Sequence, residues 1–182
     1  MSRQRRPGSA PAPVTPALLN TPMDLPQVAP MLSYEDVGAA ADWLCAAFGF
    51  REASRFETGG RVTHVSLAVG DGVVMLGWPG PHYRSPGHHR EACDDAGRWL
   101  ATPFVVDGVY VRVDDIDAHH ERALAAGATI LGGVEDNTAV GQRQYRAEDL
   151  EGHRWMFAEP LERRAPATRP RSGSATPRGD RR

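Results

Sequence analysis

Seven histidines and two cysteines are the residues of this 182-residue chain best suited to hold a metal or to move a proton near neutral pH. His64 lies in Arg61–Val69, where Val62, His64, Ser66 and Ala68 alternate with Thr63, Val65 and Leu67. There it could hydrogen-bond a ligand, act as a base, or be a satisfied half-buried histidine. His82, His88, His89 and Cys93 form one His/Cys cluster, and the four-residue step from His89 to Cys93 would put both on one helix face. A zinc site needs suitable ligands in tetrahedral array, and this spacing matches no compact zinc motif. A solvated loop or a lid over a pocket are the other readings. His119 and His120 follow an acidic helix start; His120 is expected on the inner stripe, bonding across to a sheet, and His119 on the flank. Trp78, Tyr110, Tyr145 and Trp155 fall on expected strands, where they could wall a flat ligand or pack a core. No GxSxG elbow and no Gly-rich phosphate cradle is present.

The elements that must position these residues come in a doubled plan. Val111–Ala128 reads as a strand end, an acidic turn and a short helix closed by Gly127, and Leu32–Phe50 has the same order, closed by Gly49. Registering Glu35-Asp36 on Asp114-Asp115 puts Val37 on Ile116, Ala39 on Ala118 and Ala46 on Ala125. Self-similarity of this kind marks a repeated supersecondary unit. In the first copy Asp36 should cap a helix whose apolar face is Val37, Ala41, Leu44, Cys45 and Phe48. Cys45 on that face is expected to be a buried apolar residue. Strands are expected over 27–34, 50–56, 61–69 and 73–78, with Gly70-Asp71-Gly72 as a tight hairpin. The second copy offers strands over 109–113, 129–134, 143–146 and 153–157, around a helix over 117–126. Between the copies, 80–103 is bounded by proline and is weakly helical from His88 to Leu100.

The predicted organisation is therefore α+β: two βαβββ modules (27–79 and 104–160) separated by an insertion (80–103). The ends, 1–26 and 161–182, are Pro-, Ala- and Arg-rich without periodicity and are expected to be disordered tails. The formal charge of −2 hides an asymmetry, because ten of the basic residues sit in those ends and the core is near −9. All the basic residues are Arg. An acidic core does not suit specific nucleic-acid binding. No apolar run approaches the roughly 20 residues of a bilayer crossing, and no apolar segment follows Arg3, Arg5 and Arg6 as a secretory signal would require. A cytoplasmic, membrane-free protein is expected. Two cysteines are too few for a disulfide framework.

The doubled unit, the acidic turn before each helix, GDGVVML in the first copy and DLEGHRWMF in the second resemble the glyoxalase/bleomycin-resistance superfamily, also called the vicinal-oxygen-chelate fold. The Asp-x-x-Gly-x-x-Trp run from Asp149 to Trp155 carries it most specifically. The resemblance implies two sheets curled about a pocket, frequent homodimers and a bacterial small-molecule binder or enzyme. Metal-dependent members hold a divalent ion with His, Gln or Glu at four strand positions. Those positions fall here on Ala29, on Met75 or Leu76, on Gly108 and on Met156, none of them a ligand for a hard or borderline metal. The resemblance thus points to the metal-free branch: no metal, no cofactor, and an aromatic or amphipathic ligand bound by sequestration, with resistance as the expected role. The expected ligand-binding residues are His64, Met75, Trp78, Tyr110, Tyr145, Trp155 and Met156, with Met75 and Met156 as adaptable thioether lining. A metal-dependent lyase, isomerase or dioxygenase of the same fold, using a metal held elsewhere, is the alternative. No catalytic residue is assigned.

Overall fold

The computed structural model describes residues 26–102 and 108–161. Strand β1 (Met31–Ser33) leads into helix α1 (Val37–Phe48) and then strands β2 (Arg51–Thr58), β3 (Arg61–Val69) and β4 (Gly72–Gly77). Two short helices follow, α2 (Pro86–Ala92) and α3 (Asp94–Leu100). The second copy is β5 (Gly108–Arg112), α4 (Ile116–Ala125), β6 (Thr129–Asn137), β7 (Gln142–Glu148) and β8 (Arg154–Pro160). The βαβββ order therefore occurs twice. The expected tails, apart from residues 26 and 161, lie outside the described residues, as do residues 103–107 at the start of the second half.

The acidic turns do in both copies what their spacing predicts. Asp36 Oδ1 accepts from Ala39 N and Asp115 Oδ1 from Ala118 N, each at 3.0 Å, which satisfies a helix-end amide that would otherwise lack a partner. Helix α1 stops at Gly49, whose φ of 72° lies in the left-handed region that glycine adopts at no steric cost. Several boundaries differ from expectation, three of them for a visible reason. The first strand begins at Met31, because Pro30 has no N–H to give a ladder, although its carbonyl still accepts from Met75 N at 2.9 Å. Strand β6 runs on to Asn137 through the expected loop, held by pairing with β7. The weakly helical insertion splits in two at Cys93, whose backbone is extended (φ −147°, ψ 118°).

Each copy makes a four-stranded mixed sheet, in the order β1-β4-β3-β2 and β5-β8-β7-β6. The first strand of each pairs in parallel with the last, Met31 opposite Met75 and Tyr110 opposite Met156. The other pairs are antiparallel. One face of each sheet packs on the helices. Val65, Leu67, Val74 and Leu76 from the first sheet join Tyr145, Ala147, Trp155 and Phe157 from the second, together with Leu44, Phe48, Ile116 and Ala123, in one core. Phe48 knits the two copies together, with its ring 4.7 Å from Phe157 and 5.5 Å from Trp155. Burial of each such side chain stabilises by about 2 kcal/mol.

Because both helix-facing sides merge in this core, the sheets do not close around a common cleft within the described chain. The opposite faces are open to solvent over part of their length. They carry Met31 (65% exposed), Phe56 (56%) and Tyr110 (49%). No helix among the described residues is long and apolar enough to cross a membrane.

Candidate functional site

Alternation sorts the candidate residues, since residues paired across a ladder share a face. In the first sheet Met31 pairs with Met75, Met75 with Ser66, and Phe56 with His64. These sit opposite the core positions Leu76 and Val65 and so lie on the open face. In the second sheet Gly108, Tyr110 and Arg112 pair with Arg154, Met156 and Ala158, which pair in turn with Glu148, Arg146 and Gln144. These too lie on the face away from the helices. His64, Met75, Tyr110 and Met156 are thus the four expected ligand-binding residues that share the open faces.

The other three lie elsewhere. Tyr145 and Trp155 are each 1% exposed and face the helices. Trp155 donates its indole N–H to Asp149 Oδ2 at 3.0 Å, and Tyr145 bonds His119 Nδ1 at 2.7 Å. Alternation puts them there: Met156, between Trp155 and Phe157, takes the open face, and the two rings take the core. Trp78 packs at the end of the first sheet against the core, with the Arg61 guanidinium 4.7 Å over its ring. Met31 and Phe56 were not anticipated. Phe56 could have been found as the cross-strand partner of His64, had the β2–β3 register been drawn.

The two neighbouring histidines exchange the expected roles. His119, not His120, lies on the inner stripe and is 5% exposed. The buried stripe of α4 is Ile116, His119 and Ala123, at helical spacing, and His120 beside it is only partly covered. The Phe48 carbonyl, 3.1 Å from His119 Nε2, can only accept, so Nε2 carries the proton and Nδ1 accepts from the Tyr145 hydroxyl. Burial, with the Arg122 charge nearby, lowers the His119 pKa to about 4. Burial pushes the Tyr145 hydroxyl well above its ordinary range. This pair is a neutral staple between the copies, reinforced by Arg122 donating to Ala47 O and Phe48 O, each at 3.3 Å.

The Asp-x-x-Gly-x-x-Trp run is a second staple. Asp149 Oδ1 accepts from Glu151 N and His153 N, and Oδ2 accepts from Tyr34 OH and Trp155 Nε1. Glu151, 8% exposed, reaches back to accept from Glu35 N at 2.8 Å and Asp36 N at 3.0 Å. Burial raises the Glu151 pKa against the opposing pull of those two amides. His153 gives its Nε2 proton to Ser33 O at 2.8 Å and lies with its ring 4.5 Å from that of Tyr34. The motif thus ties the second copy to the first copy's strand-to-helix turn.

The four positions that the resemblance assigns to metal ligands can be tested on chemistry. Ala29 precedes Met31 by two residues and Gly108 precedes Tyr110 by two; Met75 and Met156 are the ladder partners of Met31 and Tyr110, on the open faces. A methyl, a hydrogen and two thioethers do not suit a hard or borderline cation. Among the described residues no group of three or more His, Cys, Asp or Glu is placed to hold a metal ion. The His/Cys cluster is not drawn together as a site: His88 Nδ1 lies 3.4 Å from Glu35 Oε1, and Cys93 is an exposed joint between α2 and α3.

A groove of about 660 Å³ runs along the seam between the sheets, where Val73, Val109, Tyr110, Arg112 and Gln142 converge. That size is in the range of small-molecule sites.

A model of the Glyoxalase/Bleomycin resistance protein/Dioxygenase superfamily matches residues 25–157. An uncharacterized protein of Mycobacterium tuberculosis (strain ATCC 25618 / H37Rv), Rv0887c, is 30% identical over 141 residues, which is 75% of either chain. Among solved structures, TioX from Micromonospora sp. ML1 is 35% identical, with a TM-score of 0.54 over 74% of this chain and 99% of its own. The fosfomycin resistance protein FosX from Listeria monocytogenes shares the fold at 12% identity, with a TM-score of 0.51 over 76% of this chain and 96% of its own.

Proposed function

The chain belongs to the Glyoxalase/Bleomycin resistance protein/Dioxygenase superfamily, and from that premise we propose that it binds an aromatic or amphipathic small molecule without a metal ion. The observation that carries this reading is the chemistry of the open faces. Where an ion would be gripped there are Ala29, Met75, Gly108 and Met156, and around them stand Met31, Phe56 and Tyr110 with His64 as the polar contact. Flat rings and flexible thioethers favour a planar apolar ligand by stacking and burial. Binding without turnover would serve sequestration of a toxic compound, and resistance is its natural consequence.

An open face is half a cleft. A second copy laying its own open sheet against this one would cover Met31, Phe56 and Tyr110, large apolar side chains left exposed on these faces. The protein is accordingly a homodimer whose ligand site is completed across the interface.

Elemental analysis of the purified protein, paired with light scattering after gel filtration, tests both parts. The expected result is substoichiometric Ni, Zn, Mn and Fe in a species of twice the chain mass. A stoichiometric transition metal would transfer the case to a metal-dependent lyase, isomerase or dioxygenase.

A further inference from the structure

We propose that the α2–α3 hairpin is a fixed end wall of this cleft and that Arg154 is the positioning residue that sets how long a ligand the cleft admits. The inference rests on the small-molecule reading above and adds a determinant of specificity to it. Arg154 and Glu148 lie on the same face of the second sheet as Met156 and Tyr110. Yet Tyr110 is 49% exposed, whereas Arg154 is 6% and Glu148 1% exposed. The insertion is what covers them.

The covering is tied at several points. Arg154 donates through Nη1 to Thr102 O at 2.7 Å and through Nη2 to Leu100 O, and its Nε bonds Glu148 Oε1 at 3.2 Å. The other carboxylate oxygen of Glu148 accepts from Arg90 Nη1 on α2 at 2.8 Å. Two arms of a buried guanidinium thus hold the chain just past α3, and the carboxylate it pairs with holds α2. At the near end Gly87 N donates to Glu151 O at 2.8 Å, and a Cβ on Gly87 would lie 3.1 Å from that oxygen. The helices are seated, not draped.

The wall stands at one end of the open face. Gly108 is the ladder partner of Arg154, and Tyr110 and Met156 follow two residues further along. A ligand stacked on Tyr110 and Met156 therefore meets the hairpin on the Gly108 side and open groove on the Arg112 side. Compact planar ligands fit between wall and seam, and ligands extended toward Gly108 are excluded. Only a planar fork can serve two carbonyls and a carboxylate together, so Lys at 154 should not replace Arg.

Equilibrium titration with two fluorescent probes of one chemistry and different length tests this: anilinonaphthalene sulfonate and its covalent dimer, bis-anilinonaphthalene sulfonate. Wild type, Arg154→Lys and Arg90→Gln are compared, with hydrogen exchange of amides 86–100 followed in each. The expected result is that wild type prefers the short probe roughly tenfold, and that both variants exchange faster over 86–100 and narrow that ratio to about twofold. No length preference in wild type would overturn the proposal. So would an unchanged ratio despite faster exchange, or unchanged exchange in both variants. Saturable binding of neither probe would instead remove the binding function together with its wall. Arg90 is half-exposed at the rim, so its variant decides the question even if Arg154→Lys fails to fold.

Discussion

The Tyr34 hydroxyl donates a 2.6 Å hydrogen bond to Asp149 Oδ2 across 115 positions of sequence, and both residues are buried. One bond joins the first copy's strand-to-helix turn to the second copy's turn. Four donors converge on that carboxylate, so the two copies share it as a common anchor.

Tyr34→Phe removes one of those donors from a buried anion. A hydrogen bond to a charged group contributes about 1.5–3 kcal/mol, and a loss of that size is expected in urea denaturation. Asp149→Ala strands Tyr34, Trp155 and two backbone amides together and should cost clearly more. Equal costs for the two would refute the convergent anchor.

His119 makes stability depend on pH. Its pKa falls from 6.5 to about 4 in the folded chain. The unfolded chain therefore takes up a proton that the folded chain refuses. The resulting stability is fully present above about pH 6.5 and drains away as pH falls toward 4, by roughly 3 kcal/mol in all. Denaturation midpoints across that window should fall more steeply in wild type than in His119→Gln. Parallel slopes would contradict a neutral buried imidazole.

Gly152→Ala should be among the most damaging small substitutions. Gly152 has φ +86°, and a Cβ there would lie 2.8 Å from Gly87 N. The backbone is strained by any side chain, and the seat of α2 is pushed off. A loss of about 1–3 kcal/mol is expected. Gly133→Ala meets nothing within 4 Å and should leave the thermal midpoint nearly unchanged. A tolerated Gly152→Ala would show that α2 is not seated on that turn.

Phe56→Glu places a charge on the open face next to His64, away from the core. It should leave the monomer folded, by far-ultraviolet circular dichroism, and raise the dimer dissociation constant by about tenfold or more. A variant with unaltered self-association would place the dimer contact on another surface.

The doubled βαβββ order was legible in the sequence because its marks are local. Asp36 and Asp115 cap through their own side chains, and Gly49 supplies a left-handed stop. Alternation within a strand was equally legible, but which face a strand buries depends on its partners. That is why Tyr145 and Trp155, expected beside a ligand, lie in the core. His119 turned on packing: Ile116, His119 and Ala123 make the buried stripe of α4, and the spacing of the apolar residues alone does not choose between two adjacent histidines. The Arg154 tie spans 52 residues to Thr102 and 54 to Leu100; nothing in the local sequence announces it.

Ligand binding by apolar open faces without a metal is decided by titration with planar aromatic compounds in the presence of a strong chelator. Saturable binding is expected, the same with and without the chelator and weakened by Tyr110→Ala. Binding or turnover that appears only when Ni, Zn, Mn or Fe is restored would contradict it.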